Sequence, residues 1–345
     1  MEVALYHPTL GYYSGGGNPV GKGGDYVTAP TLSPLFGACL SELVREFVSR
    51  CGDVPSTIVD VGCGDGGLIN TMCPSTGQSD AVHFVGVDRS LARATANGCA
   101  RFVETIDQVS REGAHLVISN ELFDAFPFTR LVQRDEHLHE LWVTERDSQL
   151  DWAEHEAPAP WEDYFSERGI SLLDGQFADV SREWGAYYAE LCGLVTRGLI
   201  VTFDYGFPEK QLFDPRARRF GTAASYAAHR VSRDLLSTPG ERDLTAHINF
   251  SDLIRAGEKA GFQTLFFGRQ AQFLLALGAA GHELLRPIEE GSVATIEDAL
   301  QLQQRREEAR RLVLPDGIGE EIRVLVQSRG LEVNGWSFQR DLFGR

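Results

Sequence analysis

A glycine-rich turn between a buried strand and a helix constrains this sequence most. The segment Asp60–Gly67 reads Asp-Val-Gly-Cys-Gly-Asp-Gly-Gly. It follows the β-branched run Thr57–Val59 and leads into the apolar run Leu68–Met72, which predicts strand, turn and helix. An acid, Asp88, ends the next apolar run, Val82–Val87. This order of strand, glycine turn, helix, strand and acid is typical of a pocket for a nucleotide-type cofactor.

Two aspartates in the turn distinguish between the cofactors that such a turn can bind. The glycines follow the pattern G-x-G-x-x-G, which also occurs in dinucleotide sites. A dinucleotide places its anionic pyrophosphate at the turn and helix N-terminus, where Asp60 and Asp65 would repel it. S-adenosylmethionine has no phosphate and carries two cationic groups, which carboxylates attract. The carboxylate of Asp88 suits the ribose hydroxyls of either cofactor. We therefore expect S-adenosylmethionine, with Asp60, Gly62, Gly64 and Asp88 as cofactor residues.

Other interpretations of the turn stay open in the sequence. It could bind a dinucleotide, or it could be a turn without a ligand in which Asp65 only favours the helix N-terminus. Cys63 lies inside the turn, where we expect a buried thiol rather than a nucleophile. The six cysteines form no C-x-x-C pair and none has a histidine at zinc spacing, so we expect reduced thiols and no metal site.

Length and charge narrow the class of protein. The 345 residues are enough for one large core or for one domain with a substantial insertion. No apolar run approaches the ~18 residues of a spanning helix, and no targeting signal is visible at the N-terminus, so we expect a cytoplasmic protein without a membrane span. The 49 acids and 32 bases give a net charge of −17. That charge argues against a nucleic-acid partner and suits a basic protein or peptide, although it also suits plain solubility.

Short apolar runs alternate with helical patterns and predict a doubly wound α/β fold. Continuous apolar runs of this length are typical of parallel strands buried on both faces. The predicted strands lie near residues 57–61, 82–88, 100–106, 114–119, 198–204, 262–267 and 321–327. The predicted helices lie near residues 36–48, 180–195, 250–261 and 271–312. Ser33 is the expected cap of the first helix and Pro34 its first residue.

Two regions interrupt this alternation. The runs 129–134 and 137–144 lie between the fourth and fifth strands and predict a hairpin. Residues 206–247 form a long stretch rich in glycine, proline and arginine, and its length predicts a functional loop. The expected organisation is an N-terminal flap and helix in residues 1–50, then one α/β domain in 51–345 with insertions at about 128–180 and 268–315.

Six sequence blocks resemble the MidA family, the group that includes mitochondrial complex I assembly factor 7. The blocks are Leu5–Tyr13, Gly24–Pro30, Ser33–Gly37, Asn120–Pro127, Asp204–Gly206 and Asp243–His247. The resemblance implies a class I methyltransferase fold with a Rossmann-like sheet, an antiparallel last strand and S-adenosylmethionine as cofactor, with S-adenosylhomocysteine as product. It also implies a protein acceptor, since the mitochondrial member is a protein arginine methyltransferase acting on a complex I subunit. The chain departs from the usual Glu-Leu-Gly-Pro-Gly-Arg-Gly loop at Asp60, Cys63 and Asp65.

The block that follows the fourth strand carries the candidate catalytic residues. Methyl transfer is an in-line displacement, so the site must align a nucleophile with the methyl group and exclude water. We expect Glu121, with Asp124, to grip an arginine guanidinium through paired hydrogen bonds, and Asn120 to bind the cofactor or the acceptor. Asp25 and Thr28 are expected to belong to a flap over the cofactor.

Several alternatives remain for these residues and for the function. Glu121 could instead be an acid favoured by a helix start. His247 could be a base or line the acceptor cleft together with Asp204 and Tyr205. The acceptor could be a small molecule instead of a protein, or the chain could be an assembly factor that binds the cofactor without catalysis. The sequence does not indicate an oligomeric state.

Overall fold

The computed structural model describes the chain apart from residues 15–27, 52–54, 76–81, 92–93, 96–97, 99, 110–112, 228–229, 288–294 and 341–345. The chain forms two compact units, each composed of three segments. The first unit contains Met1–Tyr26, Leu122–Tyr188 and Asp204–Ala256. The second unit contains Val27–Glu121, Ala189–Phe203 and Gly257–Arg345.

Fifteen strands lie in the part of the chain that the structure describes. They are β1 (Ser56–Val61), β2 (Val82–Val87), β3 (Ala100–Val103), β4 (Leu116–Asn120), β5 (Thr129–Arg134), β6 (His137–Arg146), β7 (Gln149–Glu156), β8 (Phe177–Val180), β9 (Gly198–Phe207), β10 (Ala224–Ala227), β11 (Arg230–Ser232), β12 (Asp243–Thr245), β13 (Ile248–Asn249), β14 (Gln263–Arg269) and β15 (Ile322–Arg329).

Twelve α-helices lie in the same described ranges, together with short 3₁₀ turns. The helices are α1 (Glu2–Tyr6), α2 (Ala29–Leu32), α3 (Pro34–Cys51), α4 (Gly67–Ser75), α5 (Ala159–Ser166), α6 (Glu183–Leu194), α7 (Glu209–Leu212), α8 (Pro215–Arg218), α9 (Phe250–Lys259), α10 (Gln270–Ala276), α11 (Ile296–Arg311) and α12 (Ile318–Glu321). No helix among the described residues is both long and apolar enough to cross a membrane.

The second unit contains the predicted doubly wound sheet. Its strand order is β14-β15-β9-β4-β1-β2-β3, and β1 pairs in parallel with both β2 and β4. All six residues of β1 are buried, as the β-branched run predicted. The Nε atom of Arg197, just before β9, donates to the carbonyl of Gly330, just after β15, at 3.1 Å. The end of β15 therefore lies beside the start of β9, so the last strand is antiparallel, as predicted. Strand β14 pairs antiparallel with β15.

The first unit contains two antiparallel sheets. One has the order β7-β6-β5-β8 and the other β11-β10-β12. The predicted hairpin is β5 and β6, but the predicted insertion at about 128–180 also contains the strand β7 and the helix α5, which the sequence interpretation missed. Strand β7 carries acids on both faces, Asp151 on one and Glu154 and Glu156 on the other, which hides the apolar alternation of a strand. The predicted long loop at 206–247 contains α7, α8 and the three strands of the smaller sheet.

Helix α3 begins as predicted. Its first residue is Pro34, and the Oγ atom of Ser33 accepts a hydrogen bond from the backbone nitrogen of Leu35 at 3.3 Å. Its apolar face is buried, with Phe36 and Phe47 fully enclosed. The single helical segment predicted at 271–312 is instead two helices, α10 and α11.

Among the described cysteines, Cys73 differs from the prediction. Cys39, Cys51, Cys63 and Cys192 are free thiols, and burial raises the pKa of Cys39 and of Cys192 to about 12, so both stay protonated. Cys73 is disulfide-bonded, so the expectation of reduced thiols throughout is wrong there. Sequence spacing alone could not show this, because pairing depends on which cysteines the fold brings together.

Candidate active site

The glycine loop is held by hydrogen bonds to the end of the neighbouring strand. The backbone nitrogens of Gly62 and Cys63 donate to the carbonyl of Val87, at 2.8 Å and 3.1 Å. The nitrogen of Gly64 donates to Oδ2 of Asp88 at 2.9 Å. Gly62 has φ 77° and Gly64 has φ 55°, a backbone conformation that glycine adopts without strain. Two predicted cofactor elements, the loop and Asp88, are therefore one connected structure.

Open space borders this loop at Gly64. A side-chain carbon built there would meet no atom within 4 Å. The backbone can therefore come close to a ligand, which is the role that glycine has in cofactor loops. Oδ1 of Asp88 accepts from the nitrogen of Ser90 at 3.0 Å, and each carboxylate oxygen has a further lone pair for a ligand hydroxyl.

Asp60 is the most perturbed acid of the site. Its side chain is buried at the end of β1. Burial, together with the carboxylates of Asp88 and Asp65, raises its pKa to about 7. A nearby cation would stabilise the charged form of a carboxylate in this position, because it offsets both the cost of burial and the repulsion by the acidic neighbours. The site therefore favours a positively charged ligand group and disfavours a phosphate.

Asp65 and Cys63 have structural explanations. Oδ1 of Asp65 accepts from the nitrogen of Gly67, the first residue of α4, at 2.8 Å, so Asp65 satisfies a donor at that helix start. The Cys63 thiol is buried, and burial beside the carboxylates of Asp60 and Asp88 raises its pKa. A thiol in this environment stays protonated, so Cys63 is not an activated nucleophile.

The candidate catalytic residues lie at the end of β4 beside this loop: Asn120 is the last residue of the strand and Glu121 follows it. Ser119 of β4 pairs with Val61 of β1, so the two strands end next to each other. Glu121 has φ 50°, a conformation that is costly for a residue with a side chain and that clusters at functional sites. Its nitrogen donates to the carbonyl of Phe203 at 2.9 Å, which fixes the backbone there.

The side chains of these two residues are linked. Nδ2 of Asn120 donates to Oε1 of Glu121 at 3.1 Å, and the same oxygen accepts from the nitrogen of Ala29 at 3.3 Å. Oδ1 of Asn120 is buried and has no hydrogen-bond partner among the described residues. A buried acceptor without a donor costs free energy, so this atom is suited to a ligand donor.

The flap residues are only partly described. Asp25 lies outside the described residues. Thr28 precedes α2, and its nitrogen donates to Oγ1 of Thr31 at 3.0 Å. Thr31 thus does the capping that an acid or amide does in a capping box. Thr28 is adjacent to Ala29, whose nitrogen binds Glu121, so the start of α2 is tied to the end of β4.

Asp124 lies in the first unit, where three distant sequence blocks meet. The carbonyl of Asp124 accepts from the nitrogen of Ala246 at 3.1 Å. Oη of Tyr6 donates to the carbonyl of Ala125 at 2.8 Å. Oη of Tyr13 donates to Oδ1 of Asp243 at 2.9 Å. Residues of the segments 5–13, 122–127 and 243–247 therefore form one hydrogen-bonded cluster within this unit.

The remaining candidates of the first unit are Asp204, Tyr205 and His247. The carboxylate of Asp204 is fully buried and accepts from the nitrogens of Phe123 and Tyr205, both at 2.8 Å. These hydrogen bonds fix the turn after β4, and the role of Asp204 in lining an acceptor cleft stays a prediction. The His247 ring is half-buried and stacks on Tyr205 with ring centroids 6.3 Å apart.

Gln270 is a site candidate that the sequence interpretation missed. It begins α10 directly after β14, is fully buried, and neither atom of its carboxamide has a partner among the described residues. Because β14 runs parallel to β9, Gln270 follows a carboxyl end on the same edge of the sheet as Asn120. A lone glutamine in an apolar helical run gives no sequence signal for this.

Comparison with known protein families and solved structures identifies the class of protein to which this chain belongs. Residues 39–268, about two thirds of the chain, match a family model described as "Putative S-adenosyl-L-methionine-dependent methyltransferase". A crystal structure of a COG1565 superfamily member from Burkholderia thailandensis, bound to S-adenosyl-homocysteine, matches with a TM-score of 0.83 and 26% identity. That match covers 99% of this chain and 89% of the other.

Curated relatives match a large part of the chain at low identity. The mitochondrial protein arginine methyltransferase NDUFAF7 of Danio rerio is 24% identical over 320 residues, covering 81% of this chain and 72% of the relative. The homologue of Drosophila melanogaster is 26% identical over 302 residues, covering 76% of this chain and 66% of the relative. The predicted cofactor class and the resemblance to the MidA family are confirmed, and the dinucleotide alternative is excluded.

Proposed function

Because the chain belongs to the MidA-like family of S-adenosyl-L-methionine-dependent methyltransferases, we propose that its acceptor is an arginine side chain of a protein. When bound, the cofactor supplies a methyl group activated by a sulfonium. The chain's own residues must hold that cofactor, orient a guanidinium nitrogen and exclude water.

The cofactor residues would contact different parts of S-adenosylmethionine. Asp60 would hold a cationic group, because its carboxylate is buried beside the carboxylates of Asp88 and Asp65. Asp88, which already fixes the loop through Gly64, would accept from ribose hydroxyls. Gly62 and Gly64 allow close backbone approach, and the unpartnered Oδ1 of Asn120 would accept from a ligand donor. Asp25 and Thr28 remain proposed flap residues.

The observation that carries the arginine assignment is the carboxylate of Glu121. It is fixed at the end of β4, next to the strand that leads into the cofactor loop. A guanidinium gripped by a carboxylate through two N–H groups localises its positive charge there and leaves the third nitrogen for attack. That nitrogen would bond to the methyl carbon as the carbon–sulfur bond breaks, and the proton that it loses would pass to a neighbouring carboxylate, Glu121 or Asp124. Asp124 is the second proposed carboxylate, although its described contact is made by its carbonyl.

The names of the curated relatives support this acceptor, since four of them are called protein arginine methyltransferases. Because these relatives are only 22–26% identical to this chain, their activity is proposed for it. The net charge of −17 also suits a basic acceptor. A subunit of a complex I-type enzyme is the proposed protein, and the cytoplasmic location stays a prediction.

The test is to find the methylated species. The purified chain is incubated with cell lysate and radiolabelled S-adenosylmethionine, and labelled proteins are digested and sequenced by mass spectrometry. We expect label on arginine. Label on another side chain overturns the arginine assignment, and label confined to the small-molecule fraction supports the alternative acceptor class. The Gly62→Val variant serves as the blank, because it removes the cofactor loop conformation.

A further inference from the structure

A two-stranded arm projects from the four-stranded sheet of the first unit. Strand β5 pairs with β6 only over His137–Glu140. Beyond Glu140, β6 pairs only with β7, from Leu141 opposite Glu154 to Arg146 opposite Gln149. We call residues 141–154 the arm. Among the described strands none pairs with the arm on the β5 side, and β7 is the edge strand of its sheet.

The arm exposes large apolar side chains that lie next to one another. Val143 is 53% exposed and is the cross-strand partner of Trp152, which is half-buried. Leu141 lies two residues from Val143 and Leu150 two residues from Trp152, so strand alternation places all four on one face. Leu150 is 42% exposed. Single exposed apolar residues are ordinary, but an adjacent set indicates an interaction surface.

The opposite face carries an exposed tryptophan that is held in place. Trp142 is 59% exposed. Its Nε1 donates to Oε2 of Glu140 at 2.9 Å, and its ring meets the edge of His155 at 5.7 Å between centroids. A large side chain that is fixed before binding loses little conformational entropy when a partner arrives, which is typical of an interface anchor.

The charge of the arm selects the partner. It carries the carboxylates of Glu145, Asp147, Asp151 and Glu154 and one cation, Arg146. Arg146 pairs with Asp151 at 3.3 Å and Arg134 with Glu154 at 2.5 Å. Among the described residues, Glu145 and Asp147 form no ion pair. A second arm would place like charges against these acids, whereas a basic segment would complement them.

We propose that the arm is a docking surface for a basic, partly apolar segment of the protein substrate. This inference rests on the proposed function, since a protein acceptor is required. Arginine side chains of the segment would pair with the free carboxylates and stack on Trp142, while its apolar side chains would cover Val143 and Leu150. An extended segment could also pair with the free edge of β7.

Tryptophan fluorescence can test the docking directly. Trp161, Trp184 and Trp336 are at most 7% exposed, so the two tryptophans of the arm, Trp142 and Trp152, dominate the response to an added ligand. The probe is a 12-residue peptide of alternating arginine and leucine, and the control probe replaces arginine by glutamate. We expect the arginine peptide to change the tryptophan emission. Its dissociation constant should rise at least tenfold in the variant Val143→Ser. It should also rise at least tenfold in the double variant that combines Glu145→Gln and Asp147→Asn.

The matched control is Leu173→Ser, since Leu173 is also 53% exposed but lies outside the arm. It should leave the dissociation constant unchanged. Equal binding of the glutamate peptide, or unchanged binding in Val143→Ser, overturns the proposal. So does a stable dimer of the unmodified chain that Val143→Ser converts to a monomer, because the arm would then be a self-interface.

Methylation of the arginine peptide separates this inference from the proposed function. If the peptide binds at the arm but no arginine is ever methylated, the arginine assignment fails and the docking surface stands. If arginine methylation proceeds with the same KM in Val143→Ser as in the unmodified chain, the docking surface fails and the arginine assignment stands.

Discussion

Oε1 of Glu121 accepts a hydrogen bond from the backbone nitrogen of Ala29 at 3.3 Å. This bond joins the end of β4 to the first residue of α2. The same oxygen accepts from Asn120, so the carboxylate that we propose as the acceptor grip also organises its own surroundings. Its position is therefore fixed before any acceptor binds, which favours alignment of the reacting groups.

Glu121→Gln should separate binding from catalysis. The glutamine oxygen can still accept from Ala29 and Asn120, so the backbone and the cofactor loop should be unchanged. The loss of negative charge weakens the grip on a guanidinium, and we expect kcat to fall about 10²-fold or more with the affinity for S-adenosylmethionine retained. Calorimetry and turnover with the identified acceptor check this, with Glu42→Gln on exposed α3 surface as control. Normal turnover would remove Glu121 from the mechanism.

Cofactor affinity should rise with pH because of Asp60. Its pKa of about 7 means that the carboxylate is half protonated near neutrality. Below that pH, affinity for the cationic cofactor should fall by up to about tenfold per unit, since the proton must leave first. Asp60→Asn should bind weakly and lose this slope. Calorimetry from pH 5.5 to 7.5 on both proteins isolates the effect, and parallel slopes would contradict it.

The Asp60 carboxyl group should also make the cofactor-free protein less stable as pH rises. Its pKa of about 7 in the folded state lies above its ordinary value of 3.8. Between these two pH values the folded state therefore binds more protons than the unfolded state does. The free energy of unfolding from this group therefore falls as pH rises from about 4 through 7. Asp60→Asn should flatten that part of the stability profile in urea titrations. A steeper profile in the variant would show that other groups control it.

Gly62→Val should abolish S-adenosylmethionine binding. Gly62 has φ 77°, which a β-branched residue adopts only at a cost of about 1–3 kcal/mol or more. The loop should rearrange and lose its bond to Val87. Gly193→Ala is the control, because that glycine has open space around it and no left-handed backbone. Calorimetry should show unchanged affinity in the control, and unchanged affinity in Gly62→Val would refute the loop assignment.

Asp179→Ala should strongly destabilise the first unit. The buried carboxylate accepts from Nη1 of Arg130 at 2.9 Å and from the nitrogens of Thr222 and Ala223 at 2.7 and 2.8 Å. Its removal leaves a mostly buried guanidinium and two amides without their acceptor, at a cost of about 3–5 kcal/mol. Glu154→Ala, which breaks the more exposed pair with Arg134, should cost about 1 kcal/mol or less. Urea unfolding of both variants measures the difference.

The local features could be predicted from the order of the amino acids alone. Strand β1 and the loop after it were predictable because burial on both faces requires a continuous apolar run and a sharp turn requires glycine. The cofactor class was predictable from the sign of charge at the loop, since carboxylates repel phosphate and attract a cation. Ser33 and Pro34 similarly marked the start of α3 through their local backbone preferences.

Which distant residues meet depends on the folded structure. The bonds between Glu121 and Ala29 and between Tyr13 and Asp243 join positions far apart in the chain, and no local pattern specifies such pairs. The unpartnered carboxamide of Gln270 and the exposure of Trp142 likewise depend on what the rest of the fold places around them. Local structure follows from the preferences of neighbouring residues, whereas burial, pKa and exposure follow from long-range packing, which a single sequence does not contain.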